Sequence, residues 1–427
     1  MCFQFPRKRG MKKETNMYEE ERKMKKILSL ILAMAMVTSL AACSSTAKVT
    51  TAKATAAGDT TIAATTAGKT GSGTGTEYGP KDAKYKVGVI PKFVAEDYFI
   101  ACERGFAKAA DELGIRVTWV GDTMAQCSAQ NQKNYIQSFI DQGYDAILVS
   151  ALDPSSYADT LKEARDAGIK VITWDADVET DARDFFVNQA EGDMIAIKLL
   201  QGLAGDLSSY TKDKPATVAL VSTTTDSPNQ NAWLAAIQKE YDSKKDTEYA
   251  HIKLLTDVTY AGNDQGQADT AIKALLSKDK EIVGIIALSS NTVPAVASSR
   301  EQLNLGEIKI VGVSVPESSR KDMDAGKMSA VVLWQPFDLG YLTLYVASAV
   351  LEGKAPSGAA FVSPLSGTNM TASFMDGTTP VLYPAEGHKI MENNVVILGE
   401  PIVWNLKNID RFRGYPNADS GMSEFLK

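Results

Sequence analysis

The sequence predicts an α/β fold of two doubly wound, Rossmann-like lobes, on three observations. Residues 144–177 make a complete βαβ module, the same alternation of apolar runs and helical stretches precedes it and resumes after residue 188, and 427 residues exceed what one core supports. In the module, residues 146–150 and 170–173 are short runs of the kind buried on both faces of a parallel sheet. Between them Leu152-Asp153-Pro154-Ser155 turns the chain, with Asp153 or a serine to accept the first helical N–H groups and Pro154 suited to the first turn. The helix runs to about residue 167, Gly168 fits the position beyond its end, and the right-handed crossover makes the two strands parallel.

The other elements follow in order. A strand at 87–90, a helix at 99–113 closed by Gly114, a strand at 117–120 and a helix at 128–142 ending at Gly143 complete the first lobe. Beyond Phe185-Phe186-Val187-Asn188, strands at 217–221, 252–255, 282–287 and 308–313 alternate with helices starting near Gly192, Asn229, Gly266 and Thr292. A strand at 330–333 then leads through Trp334-Gln335-Pro336 into an apolar helix at 337–351. Residues 353–387 are rich in Gly, Pro, Ser and Thr, and 395–403 reads as one or two closing strands broken at Gly399 and Pro401.

The N-terminal region is of a different kind. Met24-Lys25-Lys26 precedes an apolar stretch of about 12 residues, short of the roughly 20 needed to span a bilayer, and the stretch runs into Leu40-Ala41-Ala42-Cys43. This pattern resembles the lipobox of bacterial lipoproteins, which implies cleavage before Cys43, lipidation of its thiol and anchoring to the cell membrane on the outer side of the cytoplasm. Residues 1–43 are thus the expected signal region, starting at Met1 or Met24, and 44–84, dominated by Ser, Thr, Ala, Gly and Lys, the expected flexible linker. Removing residues 1–42 takes away nine basic and four acidic side chains; the remainder carries 36 and 48, which disfavours nucleic acid as a partner.

Four motifs carry a wider resemblance: Ile90-Pro91-Lys92, Thr173-Trp174-Asp175-Ala176-Asp177, Asn229-Gln230-Asn231-Ala232-Trp233, and Leu333 through Tyr341. In this order and at compatible spacing they resemble type 1 periplasmic binding proteins, the sugar-binding components of bacterial ABC importers, and within them the branch that binds rhamnose or autoinducer-2. The resemblance implies two lobes joined by three hinge strands, near 187–189, 334–336 and the final strands. The first lobe would comprise 85–187 with 336–392, the second 188–335 with 393–415. It further implies a monomeric receptor that closes on a small neutral sugar and presents it to a permease and its ATPase. A sensory variant of the same fold would present the closed form to a kinase or chemoreceptor instead.

Candidate ligand-binding residues cluster at strand ends, where ligands bind in open parallel sheets. Asp175 ends a strand, and a carboxylate there can accept bonds from two neighbouring hydroxyls; it is alternatively a capping group, and Asp177 could share its role. Lys92 follows the first strand, in the motif whose lysine faces ligand. Tyr98 and Phe99 stand where sugar binders place paired aromatics, against the reading of a core residue. Asn229 and Gln230 offer amide donors and acceptors at a helix start, and Asn-Gln-Asn fits the rhamnose-like pattern better than the autoinducer-2 one. Ser289, Ser290 and Asn291 follow the strand at 282–287; autoinducer-2 receptors usually carry Pro-Asp-Ala where this chain has Leu288-Ser289-Ser290, and Ser314 stands where many family members place a ligand Asp. Gln335 lies at a hinge, with Trp334 beside it for packing or stacking. Motifs for phosphate loops, zinc proteases and serine hydrolases are absent, as is a paired acid and base, so no catalysis, cofactor or metal is expected. Spacing leaves open whether Cys102 and Cys127 pair.

Overall fold

A computed structural model describes residues 75–367 and 383–412. The signal region, Cys43 and most of the expected linker lie outside the described residues. The first sheet has the order β1-β3-β2-β4-β5-β6-β14-β13-β12. Its parallel centre is β3 (Arg116–Trp119), β2 (Lys86–Ile90), β4 (Ala146–Val149), β5 (Lys170–Trp174), β6 (Phe185–Asn188) and β14 (Val395–Ile397). Antiparallel strands β1 (Thr76–Tyr78) on one side and β13 (His388–Met391) with β12 (Ala360–Phe361) on the other close its edges. Helices α1 (Asp97–Leu113), α2 (Ala129–Asp141) and α3 (Ala158–Asp166) make the crossovers.

Local chemistry explains most of these bounds. Gly114 ends α1 in the left-handed conformation, and the Ser128 hydroxyl caps α2 by accepting from the Asn131 N–H at 3.1 Å. The module's helix starts later than its sequence suggests. Asp153 accepts from the Ser155 N–H and hydroxyl, which spends its capping capacity in a turn, so Pro154 precedes the helix and α3 opens at Ala158.

The second sheet has the order β10-β9-β7-β8, all parallel: β7 (Ala216–Ser222), β8 (Ile252–Tyr260), β9 (Ile282–Ala287) and β10 (Lys309–Gly312). Around it lie α4 (Gly192–Asp206), α5 (Pro228–Lys244), α6 (Gln265–Lys278), α7 (Thr292–Gln302) and α8 (Pro316–Asp324). In each lobe the first strand of the winding lies between the second and the third, so β2 and β7 are the switch points beside which a crevice opens.

The chain passes between lobes three times: from β6 to α4, from β11 (Val331–Leu333) to α9 (Pro336–Leu351), and from β14 to β15 (Ile402–Trp404). Two expectations change here. Residues 395–397 pair with β6 in the first sheet rather than joining the second lobe, because this apolar triplet fills an otherwise open strand edge; the crossing follows at Gly399–Pro401, and β15 then pairs with β11. The expected linker is already structured by Thr76, whose strand pairs with β3 and is fixed by the Tyr78 hydroxyl donating to Glu103 at 2.7 Å.

Helix α9 returns to the first lobe and lies on α1. The two backbones meet at glycines: a Cβ on Gly105 would sit 1.9 Å from the Phe337 carbonyl oxygen, and one on Gly340 would sit 2.2 Å from that of Cys102. Trp174, fully buried, packs against Phe99, Phe106 and Trp119 with ring centroids 5.2–5.9 Å apart. Cys102 is buried, Cys127 is half-buried, and both are free thiols. Among the described residues no helix is long and apolar enough to cross a membrane, and no cluster of side chains could hold a metal ion.

Candidate binding site

The carboxyl ends of both sheets face one cavity of about 300 Å³ between the lobes. From the first lobe come Lys92 and Phe93 after β2, Glu96, Tyr98 and Phe99 at the start of α1, and Asp175 after β5. The second contributes Thr223 and Thr224 after β7, Asn229, Gln230 and Trp233 on α5, and Ser289, Ser290 and Asn291 after β9. Trp334, at the second crossing, completes the wall.

Asp175 is the centre of the polar network. It is buried and takes the left-handed backbone conformation, φ 62°, which turns its side chain out of the alternation of β5. The Tyr98 hydroxyl donates to Oδ1 at 2.8 Å and the Ser150 hydroxyl to Oδ2 at 2.8 Å, while Lys92 Nζ lies 3.8 Å from Oδ2. Tyr98 in turn accepts from the Trp334 indole N–H at 2.9 Å. Desolvation pulls the Lys92 ammonium below its usual range, against the opposing pull of Asp175. Burial pushes the Tyr98 phenol well up, so it stays a donor.

The second lobe presents donors. Gln230 Oε1 accepts from the hydroxyls of Ser222 and Thr223 and from the Thr223 N–H, which fixes the amide's orientation. Asn229 Oδ1 accepts from Lys92 across the cleft at 3.1 Å, from Ser227 and from the Gln230 N–H. Ser227, not Asn229, is the capping position of α5. Ser289 is bonded to Asn291 and Thr292, and Asn291 donates to the Gly262 carbonyl, so of these three only Ser290 stands in the wall without a protein partner.

Lys92, Tyr98, Phe99, Asp175, Asn229, Gln230, Ser289, Ser290 and Asn291 are therefore brought together. Gln335 is buried at the residue before α9 and is not part of the cavity wall, and Asp177 is taken up by the buried Arg183, which also donates to the Asn393 carbonyl. Tyr98 and Phe99 are both buried and pack edge to face at 5.0 Å, so each is core and wall at once. Sequence reasoning missed Phe93, Glu96, Ser150, Thr223 and Trp233 as site residues. Ser150 and Thr223 occupy the same strand-end positions that singled out Asp175, and that signal could have found them.

A family model described as a periplasmic binding protein domain matches residues 87–355. The chain belongs to this family. The binding protein is similar to the ribose import binding protein RbsB of Bacillus subtilis, 22% identical over 278 residues, 64% of this chain and 83% of that one. Two solved structures share its fold at 23% identity and a TM-score of 0.63: LsrB of Clostridium saccharobutylicum in complex with AI-2, covering 77% of this chain and 99% of that one, and a solute-binding protein of Clostridium phytofermentas with bound L-rhamnose, covering 77% and 98%. Family membership makes this chain a binding protein rather than an enzyme, and its two lobes are those of the family fold.

Proposed function

We propose that this protein is the extracytoplasmic receptor of an ABC importer, anchored through a lipidated Cys43, that closes on one small neutral sugar and delivers it to a permease. The observation that carries the reading is the convergence of Lys92, Asp175, Asn229 and Gln230 from both lobes on one cavity. At about 300 Å³ the cavity is at the small end of the range for ligand sites, suited to one monosaccharide. Lys92 is the one basic side chain in its described wall, facing Glu96, Asp153, Asp175 and Asp226, a balance that repels acidic sugars.

A rhamnose-like deoxy sugar fits best. Leu288, Val313, Leu333, Trp233 and Trp334 give the wall an apolar part for a methyl group, beside the amides for hydroxyls. Autoinducer-2 is the second reading, favoured by Lys92 and Asp175 in the motifs shared with its receptors. The named ligands of the similar proteins, ribose, AI-2 and L-rhamnose, support a sugar or sugar-like ligand of this size. Calorimetric titration with rhamnose, ribose, galactose and autoinducer-2 tests the reading: rhamnose or a related deoxy sugar should bind tightest, and no binding to any of the four would refute it. Cys43→Ser should release the monomeric protein from the membrane; full retention would remove the anchor.

A further inference from the structure

A glutamine amide without a partner lies at the first crossing between the lobes. Gln189 directly follows β6 and precedes α4; it is 0% exposed, and neither Nε2 nor Oε1 has a hydrogen-bond partner. Other buried glutamines are well bonded. Gln132 donates to the carbonyls of Pro91 and Ser150 at 2.9 Å each and accepts from the Leu152 N–H, and Gln230 accepts three bonds from Ser222 and Thr223. Among the described residues, Gln189 is the one side chain with two separate polar atoms, a donor and an acceptor, buried and unbonded.

Native structures hold few such groups, because an amide taken from water without a partner is strongly unfavourable. The arrangement of the lobes gives the reason. They are drawn together, with Lys92 bonded to Asn229 across the cleft and the Ser318 hydroxyl donating to Asp97 at 3.1 Å. Hinge motions concentrate their backbone change in a few residues at element ends, and Gln189 sits at such an end. We infer that Gln189 is a hinge brake: its amide is bonded when the lobes are apart and stripped of partners when they close. The free protein is thereby biased toward the open form, and ligand affinity is reduced by the fraction of molecules that are closed. Gln189 is thus a positioning residue that acts from outside the cavity wall.

The inference rests on closure around a sugar, and its test separates the two. Gln189→Met keeps the length of the side chain and removes the amide; Gln189→Leu is the second variant. Small-angle scattering on the ligand-free, full-length protein should show a smaller radius for both than for wild type. Their dissociation constant for whichever of L-rhamnose, D-ribose, D-galactose and autoinducer-2 binds wild type best should fall about tenfold or more. Radius and affinity equal to wild type would mean that the amide is orphaned in both arrangements, and weaker affinity that it is bonded in the closed one; either overturns the inference. So does failure of both variants to fold, since an unbonded amide should be replaceable by an apolar side chain. If wild type binds none of the four, the sugar reading fails, and the ligand-free radius alone decides the hinge brake.

Discussion

Lys92 of the first lobe donates to Asn229 of the second at 3.1 Å while lying 3.8 Å from Asp175, so one buried ammonium bridges the cleft and faces the central carboxylate. Hydrogen bonds to charged groups contribute about 1.5–3 kcal/mol. Lys92→Met removes the bridge and keeps the apolar stem. The expected result is at least a tenfold loss of affinity for the preferred sugar by titration calorimetry, with the melting temperature of the ligand-free protein changed little. Wild-type affinity would place the ligand elsewhere.

The left-handed backbone at Asp175 separates two variants of one carboxylate. Asn tolerates this conformation, whereas Ala there is strained by about 1–2 kcal/mol. Both variants should weaken the preferred sugar at least tenfold, and Asp175→Ala should melt below Asp175→Asn. Equal melting temperatures would mean that the conformation relaxes in the variant, and unchanged affinity that the carboxylate only ties Tyr98 to Ser150.

Glu96 lines the cavity, and desolvation raises its carboxyl to about 7, with Asp97 and Asp175 adding to the effect. A carboxyl whose folded pKa is raised favours the folded state below its unfolded pKa, and this stability is lost as pH climbs to about 7. Glu96→Gln should therefore be the more stable protein at pH 8, by roughly 2 kcal/mol, and lose that advantage near pH 4. Parallel unfolding curves for the two proteins across this range would remove Glu96 as the cause.

The contact of α1 with α9 predicts a steric effect far from any ligand. Gly340→Ala should destabilise by about 1–3 kcal/mol in denaturant unfolding, since backbone rather than a pliable side chain must give way. Because Tyr98 opens α1 and Trp334 precedes α9, the variant should also weaken the sugar. A stable variant with intact affinity would show that the helices can separate at no loss.

Much of this fold was legible because strands buried on both faces leave unbroken apolar runs, and because Gly114, Gly143 and Gly168 mark turns with positive φ. What escaped was short or polar. Pro316–Asp324 reads PESSRKDMD and shows no continuous apolar face, and Ala360–Phe361 is a two-residue strand that exists only through its pairing with β13. The site was legible where position decided, as at Lys92 and Asp175 beyond strand ends. It was not where the outcome depended on a distant partner: Asp177 is claimed by Arg183, and Gln335 is left out of the cavity wall.

The pairing of β6 with β14 orders events during synthesis. Val187 finds its neighbour Val396 only about two hundred residues later, so the first sheet keeps an open edge beside β6 until almost the whole chain has been made. The second lobe, nearly contiguous in sequence, can assemble in that interval, whereas the first must wait for its closing strand. A chain cut short before residue 395 would present β6 as a sticky template for other molecules, and such fragments should aggregate rather than fold.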